Sequence, residues 1–402
     1  MNPLILPEDV NTILKTLNEQ GYEAYAVGGC VRDCILNRIP QDWDITTSAK
    51  PDEVKACFLH TYDTGIQHGT VTVVFNNQHY EITTYRIEGL YEDCRRPKEV
   101  FFTNNLKEDL LRRDFTMNAI AYHPKEGFQD PFLGMKDIKS KLIRGVGIAS
   151  ERFQEDALRM LRAIRFSAQL GFEIEFQTYS ALCENIKLIE KISVERIKEE
   201  TEKLILADFS EKTVLLWKTG LIVYMFPKWY EKIEQNENEI IQSFLKSEKN
   251  NILRWTLLIY CLGKEEAEKF LKYLKFDTKT LRIILSLVEA LKIEILEEEY
   301  FVRKMLCKMG IEEFKLLLKL KLSLEHKEDI QNINDMLFYI LERKDCIFLK
   351  QLCINGEDLF CLGIEKGKKV GLILNSVLDF VHKNPDKNNK KDLIHYVKEN
   401  FL

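Results

Sequence analysis

The stretch Ala26–Thr47, AVGGCVRDCILNRIPQDWDITT, limits what this chain can fold into more tightly than any other. The apolar run Ala24-Tyr25-Ala26-Val27 meets Gly28 and Gly29. A strand must therefore turn sharply at a point where backbone N–H groups can approach an anion closely. A short helix and a loop follow, and Asp42-Trp43-Asp44 then opens a second strand. Residues i and i+2 of a strand share a face, so the two carboxylates are expected to converge. Side by side they repel unless a cation lies between them. A phosphate cradle beside a divalent-metal platform is equipment for nucleotidyl or phosphoryl transfer.

The order Gly-Gly-x-x-Arg-Asp, with Arg32-Asp33, and then Asp-x-Asp resembles motif A of the polymerase β-like nucleotidyltransferase superfamily. Within it the pattern is similar to the branch of tRNA nucleotidyltransferases and bacterial poly(A) polymerases. Further along, Leu111-Arg112-Arg113-Asp114-Phe115-Thr116-Met117-Asn118-Ala119 resembles motif B of that family. Its chemistry wants a guanidinium for phosphate or ribose, and Asp and Asn for the sugar hydroxyls. Asp130-Pro131-Phe132 with Gly134 resembles motif C, Glu155-Asp156-x-x-Arg159 motif D, and Ile192–Glu200 motif E.

Around these motifs the chain alternates helix and strand. Val10, Ile13, Leu14 and Leu17 recur at helical spacing and predict an amphipathic helix over 7–20, stopped by Gly21. Pro51-Asp52-Glu53 predicts a helix ending near Phe58. The β-rich runs 68–75 and 79–85, joined by Asn76-Asn77, predict a hairpin. On its second strand Glu81 is either a third carboxylate of the metal platform or an outward residue of an alternating strand. From Arg86 to Lys107 periodicity fails, and a structureless, functional segment is expected. Within it Glu92-Asp93-Cys94-Arg95-Arg96-Pro97 resembles the family's flexible loop, which matters for adding the terminal adenosine.

After Ser150 strand-type alternation stops and the chain reads as helix. A Ser150-capped helix is expected to run through Arg165, with Phe153, Leu158, Leu161 and Ile164 facing the core. Asp156, Arg159, Arg162 and Arg165 recur every three residues and form a neighbouring ridge. A carboxylate acceptor beside a guanidinium donor satisfies the Watson–Crick edges of cytosine and adenine, which both pair an amino donor with a ring-nitrogen acceptor. Uracil and guanine present the reverse and would leave polar groups unpaired. Asp156 and Arg159 could thus act as an amino-acid template for CTP and ATP.

Bulk properties narrow the class. A net charge of −5 gives no global signature of a non-specific nucleic-acid binder, though a local basic surface remains compatible with it. No run approaches the ~18 apolar residues of a membrane span. The ten scattered cysteines form no CxxC and read as reduced thiols of a cytoplasmic protein. The glycines and lysines from Ile354 to Leu374 resemble the family's tail, which meets the tRNA TΨC arm.

The expected architecture is α+β. A mixed-sheet nucleotidyltransferase head (1–149) precedes an all-α neck (150–210), body (211–325) and tail (326–402). The resemblance implies a class II tRNA nucleotidyltransferase that adds CCA to the 3′ end of tRNA from CTP and ATP. It implies Mg²⁺ on Asp42 and Asp44, and nucleotide binding by Gly29, Arg32, Arg113, Asp156, Arg159, Arg162 and Arg165. A CC-adding enzyme, an A-adding enzyme and a poly(A) polymerase stay open, as does, more distantly, a non-catalytic RNA-binding module.

Overall fold

The computed structural model describes residues 3–89, 91–92, 96–97, 99–325 and 329–402. They divide into two compact units, Met1–Glu234 and Gln235–Leu402.

The first unit opens with helix α1 (Glu8–Glu19), whose Val10, Ile13, Leu14 and Leu17 are all buried, as their spacing dictates. Strand β1 (Ala24–Val27) is buried along its whole length. It runs into α2 (Gly29–Ile35), and β2 (Asp44–Thr47) follows. Next come α3 (Pro51–Cys57), β3 (Thr61–Gly65), β4 (Thr70–Phe75) and β5 (Gln78–Thr84). The turn between β4 and β5 is made by Asn76 and Asn77 at φ +49° and +60°, the left-handed pair that suits a two-residue hairpin.

Beyond β5 the expected structureless segment is partly a ribbon. Strand β6 (Arg86–Glu88) pairs antiparallel with β9 (Val100–Phe102), and between them β7 (Tyr91–Glu92) pairs with β8 (Arg96–Pro97). These strands are too short to leave a periodic signal. Of the loop-like element 92–97, residues 93–95 lie outside the described residues.

Helix α4 (Leu106–Leu111), capped by the Asn105 side chain, leads into a single 3₁₀ turn, Thr116–Asn118. Strands β10 (Ala121–His123) and β11 (Gly127–Gln129) complete a seven-stranded sheet of order β11-β10-β1-β2-β5-β4-β3. The β2–β5 contact is parallel, and the other ladders of this sheet are antiparallel. Tyr25, Val27, Tyr85, Leu110, Ala119, Ala121 and Val146 form a core cluster that ties the sheet to α4. Helix α5 (Gly134–Lys139) and strand β12 (Leu142–Ile143) close this part.

The helical part is not purely helical, nor is its first helix continuous. Helix α6 (Ala149–Glu155) starts after Ile148, so Ser150 lies inside it rather than capping it. Asp156 then adopts extended backbone (φ −139°, ψ 102°), and α7 (Leu158–Leu170) begins anew. Phe153, Leu158, Leu161 and Ile164 are buried, so the core-facing stripe survives the break. A short strand, β13 (Glu173–Ile174), pairs parallel with β12. Helices α8 (Phe176–Asn185) and α9 (Val194–Ile205) pack behind, and the rest of this unit is short helices.

The second unit is a set of helices from Glu237 to Phe401, without strands among its described residues. Its apolar stripes are core, with Trp255, Phe244, Phe270 and Phe314 fully buried. In its last part Asn355 caps the Gly356–Cys361 helix in a reciprocal box with Asp358. Among the described residues no helix is long and apolar enough to cross a membrane. The nine cysteines among the described residues are all free.

Candidate active site

The Gly28-Gly29 turn is held in a conformation only glycine adopts readily, with Gly28 at φ +84° and ψ −130°. A Cβ there would stand 2.8 Å from Nη1 of Arg113, so the missing side chain is what lets that guanidinium lie against the turn. The turn feeds α2, whose Arg32 is buried at 8% exposure. Its Nε and Nη2 donate to Asp33 Oδ1 at 2.9 and 2.7 Å, and its Nη1 donates to Asn118 Oδ1 at 2.6 Å. One N–H on each terminal nitrogen is left without a partner among the described residues.

Asp44 is the first residue of β2, whereas Asp42 lies in the loop before it, so the pair does not alternate along one strand. The two still interact. Burial, then the charge of Asp42, push the Asp44 carboxyl above the usual range, against the pull of Arg113. Asp44 reaches solvent at the wall of a concave site, and the crowding there is what desolvates it. Glu81 sits directly opposite Asp44 in the parallel ladder. Its carboxyl is also raised, by burial first and then by Asp44 and Asp42. Three negative groups therefore share one field.

Behind them the second motif forms a buried relay. Asn118 donates to Asp114 Oδ1 at 2.9 Å, and Arg162 of α7 donates through Nε and Nη2 to Asp114 Oδ2 at 2.9 and 2.6 Å. Burial pushes Asp114 up, but the Arg162 charge and these hydrogen bonds hold it well below the usual carboxylate range. Arg165 lies 2.8 Å from Glu200 of α9 in an ion contact off the N–H axis. Burial above all lowers Arg165 to about 10. Arg162 and Arg165 are thus ion-paired and packed, not an open basic ridge.

The break at Asp156 separates that residue from the ridge expected on one helix. Asp156 caps α7 by accepting from Leu158 N at 3.1 Å, and it takes both Nη groups of Arg196 at 3.2 and 2.7 Å. Arg159 donates to Glu155 at 2.6 Å and to the Arg112 carbonyl at 2.7 Å. The two are not each other's partners here.

A cleft of about 470 Å³ brings together Gly29, Arg32, Asp42, Asp44 and Arg165, with Arg38, Phe166 and Asp208 on its walls. Arg113, Asp156, Arg159 and Arg162 do not line it. Phe166 and the Arg196 clamp carry no motif signal that the linear pattern could reveal, because Arg32 and Phe115 meet Phe166, and Asp156 meets Arg196, from far away in sequence.

Among the described residues no group of three His, Cys, Asp or Glu side chains is arranged to hold a metal by itself. The donor set nonetheless fits Mg²⁺. That ion takes one or two carboxylates and completes its shell with water and substrate phosphates, and a second positive charge would relieve the raised Asp44 and Glu81.

Comparison with known proteins identifies the family of the chain. The poly A polymerase head domain matches residues 24–144, and tRNA nucleotidyltransferase domain 2 matches 245–397. The CCA-adding enzyme of Listeria monocytogenes (serotype 4b, strain CLIP80459) is 46% identical over 273 residues, 68% of this chain and 69% of that protein. The CCA-adding enzyme of Streptococcus pyogenes (serotype M5) is 37% identical over 376 residues, 91% of this chain and 90% of the other. The crystal structure of the Bacillus stearothermophilus CCA-adding enzyme in complex with CTP superposes with a TM-score of 0.85 at 33% identity, covering 98% of both chains. From the glycine turn through the helical tail, this chain belongs to the CCA-adding enzymes, in the family built on the poly A polymerase head domain.

Proposed function

We propose that this chain adds C, C and A to the 3′ end of tRNA, using CTP and ATP without a nucleic-acid template and releasing pyrophosphate at each addition. The observation that carries the reading is the cleft itself, where Gly29 and Arg32 adjoin Asp42 and Asp44. A bound Mg²⁺ on Asp42 and Asp44 would supply Lewis-acid activation of the primer hydroxyl and neutralise the leaving phosphates.

Arg32 offers its two unspent N–H groups to the triphosphate, and Arg113, with a buried Nε that has no hydrogen-bond partner among the described residues, waits at the same turn for phosphate or sugar. Asp114 and Asn118 hold Arg32 and Arg162 in place. Asp156 and Arg159 choose the base. Clamped by Arg196, the Asp156 carboxylate keeps a lone pair on Oδ2 for an exocyclic amine. Arg159 keeps Nε–H and one Nη2–H for the ring nitrogen. A wrong base sets donor against donor and acceptor against acceptor at these open positions, at about 1–3 kcal/mol apiece.

By this reading residues 1–149 are the head, 150–210 the neck, 211–325 the body and 326–402 the tail. Lys366, Lys368, Lys369 and the helix N-termini of the tail would meet the phosphates of the acceptor and TΨC arm, since A-form RNA is read by shape and backbone. Free thiols fit a cytoplasmic setting.

The test is incorporation of labelled CTP and ATP, with Mg²⁺, into tRNA lacking its last three, two or one nucleotides. Addition of all missing residues followed by a stop is expected. Action on one truncated form alone would make this a CC- or A-adding enzyme, and unlimited A addition a poly(A) polymerase. In the same assay Asp156→Ala should admit UTP. Unchanged exclusion of UTP would remove Asp156 from base choice.

A further inference from the structure

Phe166 has no polar group, and at 5% exposure it would ordinarily count as core. Its surroundings say otherwise. The guanidinium carbons of Arg165, Arg32 and Arg162 lie 4.0, 5.0 and 5.3 Å from its ring centroid. The ring also meets Phe115 edge-to-face, at 5.9 Å and 86°. One side chain on α7 thus touches the glycine-turn helix through Arg32, the relay turn through Phe115 and its own helix through two arginines. It also lines the cleft that holds Asp42 and Asp44.

Three guanidiniums drawn toward one point repel one another, and two carboxylates, Asp114 and Glu200, are shared by Arg162 and Arg165. Among the described residues Arg32 has only Asp33 and Asn118 as polar partners. An aromatic face supplies an attraction that an aliphatic side chain of similar size cannot. It does so without consuming an N–H. Arg32 can therefore be fixed in place while two of its donors stay open for a ligand.

We propose that Phe166 is a positioning residue that fixes Arg32 and Arg165 by cation–π attraction, and thereby sets the affinity for the nucleotide's phosphates irrespective of its base. The inference rests on the reading of Arg32 as a triphosphate ligand. A residue that merely packs would affect folding, and its loss would not separate phosphate affinity from turnover.

The test is calorimetric binding of inorganic triphosphate, with Mg²⁺, to the full chain and to Phe166→Leu, Phe166→Tyr and Arg32→Ala. Steady-state kinetics with CTP and with ATP accompany it. Phe166→Leu should weaken triphosphate binding about 5–10-fold, the equivalent of one cation–π contact. It should raise KM for CTP and ATP by the same factor, more than it changes kcat. Phe166→Tyr, which keeps the ring, should recover most of the loss. Wild-type binding by Phe166→Leu overturns the inference, and so does an equal loss in the Leu and Tyr variants, which would mark simple packing. Arg32→Ala separates the two readings. If it binds triphosphate normally, the assignment of Arg32 fails and takes the inference with it. If it binds weakly while Phe166→Leu binds normally, only the role of Phe166 fails.

Discussion

Gly28→Ala tests the architecture of the site at its tightest point. Ordinarily a Gly→Ala change at a compatible position stabilises by about 0.4–1 kcal/mol through the unfolded chain. Here the sign reverses for two separable reasons. The backbone at φ +84°, ψ −130° lies outside every region an L-residue favours, which costs about 1–3 kcal/mol. In addition the new Cβ would be 2.8 Å from Arg113 Nη1, where ordinary contact begins at 3.4 Å, so the guanidinium must retreat by about 0.6 Å. A displacement of that order at a substrate-orienting group is worth about tenfold or more in rate.

Gly127→Ala is the control. It sits at φ +75° with nothing within 4 Å, and so carries a backbone cost without a clash. The measurement is the midpoint of guanidinium-induced unfolding by circular dichroism, with kcat/KM for CTP incorporation beside it. Both variants should lose stability, Gly28→Ala more, and Gly28→Ala alone should lose activity. The reasoning fails if Gly28→Ala is no less stable than Gly127→Ala and retains wild-type kcat/KM.

Two further outcomes follow from the charges. Glu81→Gln removes one of three carboxylates that share a field, so it should raise the melting temperature without Mg²⁺ by a few degrees and shrink the rise that added Mg²⁺ produces. A lower melting temperature without metal would contradict this. Asp114→Asn strips Arg162 of its nearer buried carboxylate and leaves it Glu200 at 3.9 Å, so the loss should stay below the ~3–5 kcal/mol of a fully broken buried pair. Because the folded-state Asp114 titrates below its unfolded value near 3.9, its contribution is complete above that pH and drains away as pH falls further. The stability gap between wild type and variant should therefore narrow below about pH 4, and a gap independent of pH would refute the assignment.

What could be read from the chain divides by the range of the interactions. Helix α1, the glycine turn and the Asn76-Asn77 hairpin are decided by neighbours, so spacing and turn chemistry announce them. The break at Asp156 has no Gly or Pro to announce it. It exists because Arg196, 40 residues on, holds the Asp156 carboxylate while that carboxylate caps a new helix. The two-residue strand at Glu173–Ile174 likewise depends on a partner some thirty residues away, Leu142–Ile143, and is too short for a period. The site arginines were visible as residue types, but their division into cleft-lining Arg32 and Arg165 and relay-bound Arg162 depends on partners from α9 and the 3₁₀ turn.

The parallel junction of β2 with β5 also governs how this sequence can change over time. Asp44 and Glu81 are matched by register, and a slip of one residue would put Tyr80 or Ile82 opposite Asp44 and turn the carboxylate to the other side of the sheet. The crossover between them, with α3, β3 and the β3–β4 connection, can gain or lose residues in its loops without moving that match. A single insertion between Asn77 and Glu81 cannot be absorbed, since the hairpin pins β5 from the other side as well. Length variation among descendants of this gene should therefore collect before Thr70, and the ten residues from Val74 to Thr83 should keep their count even where their identities drift.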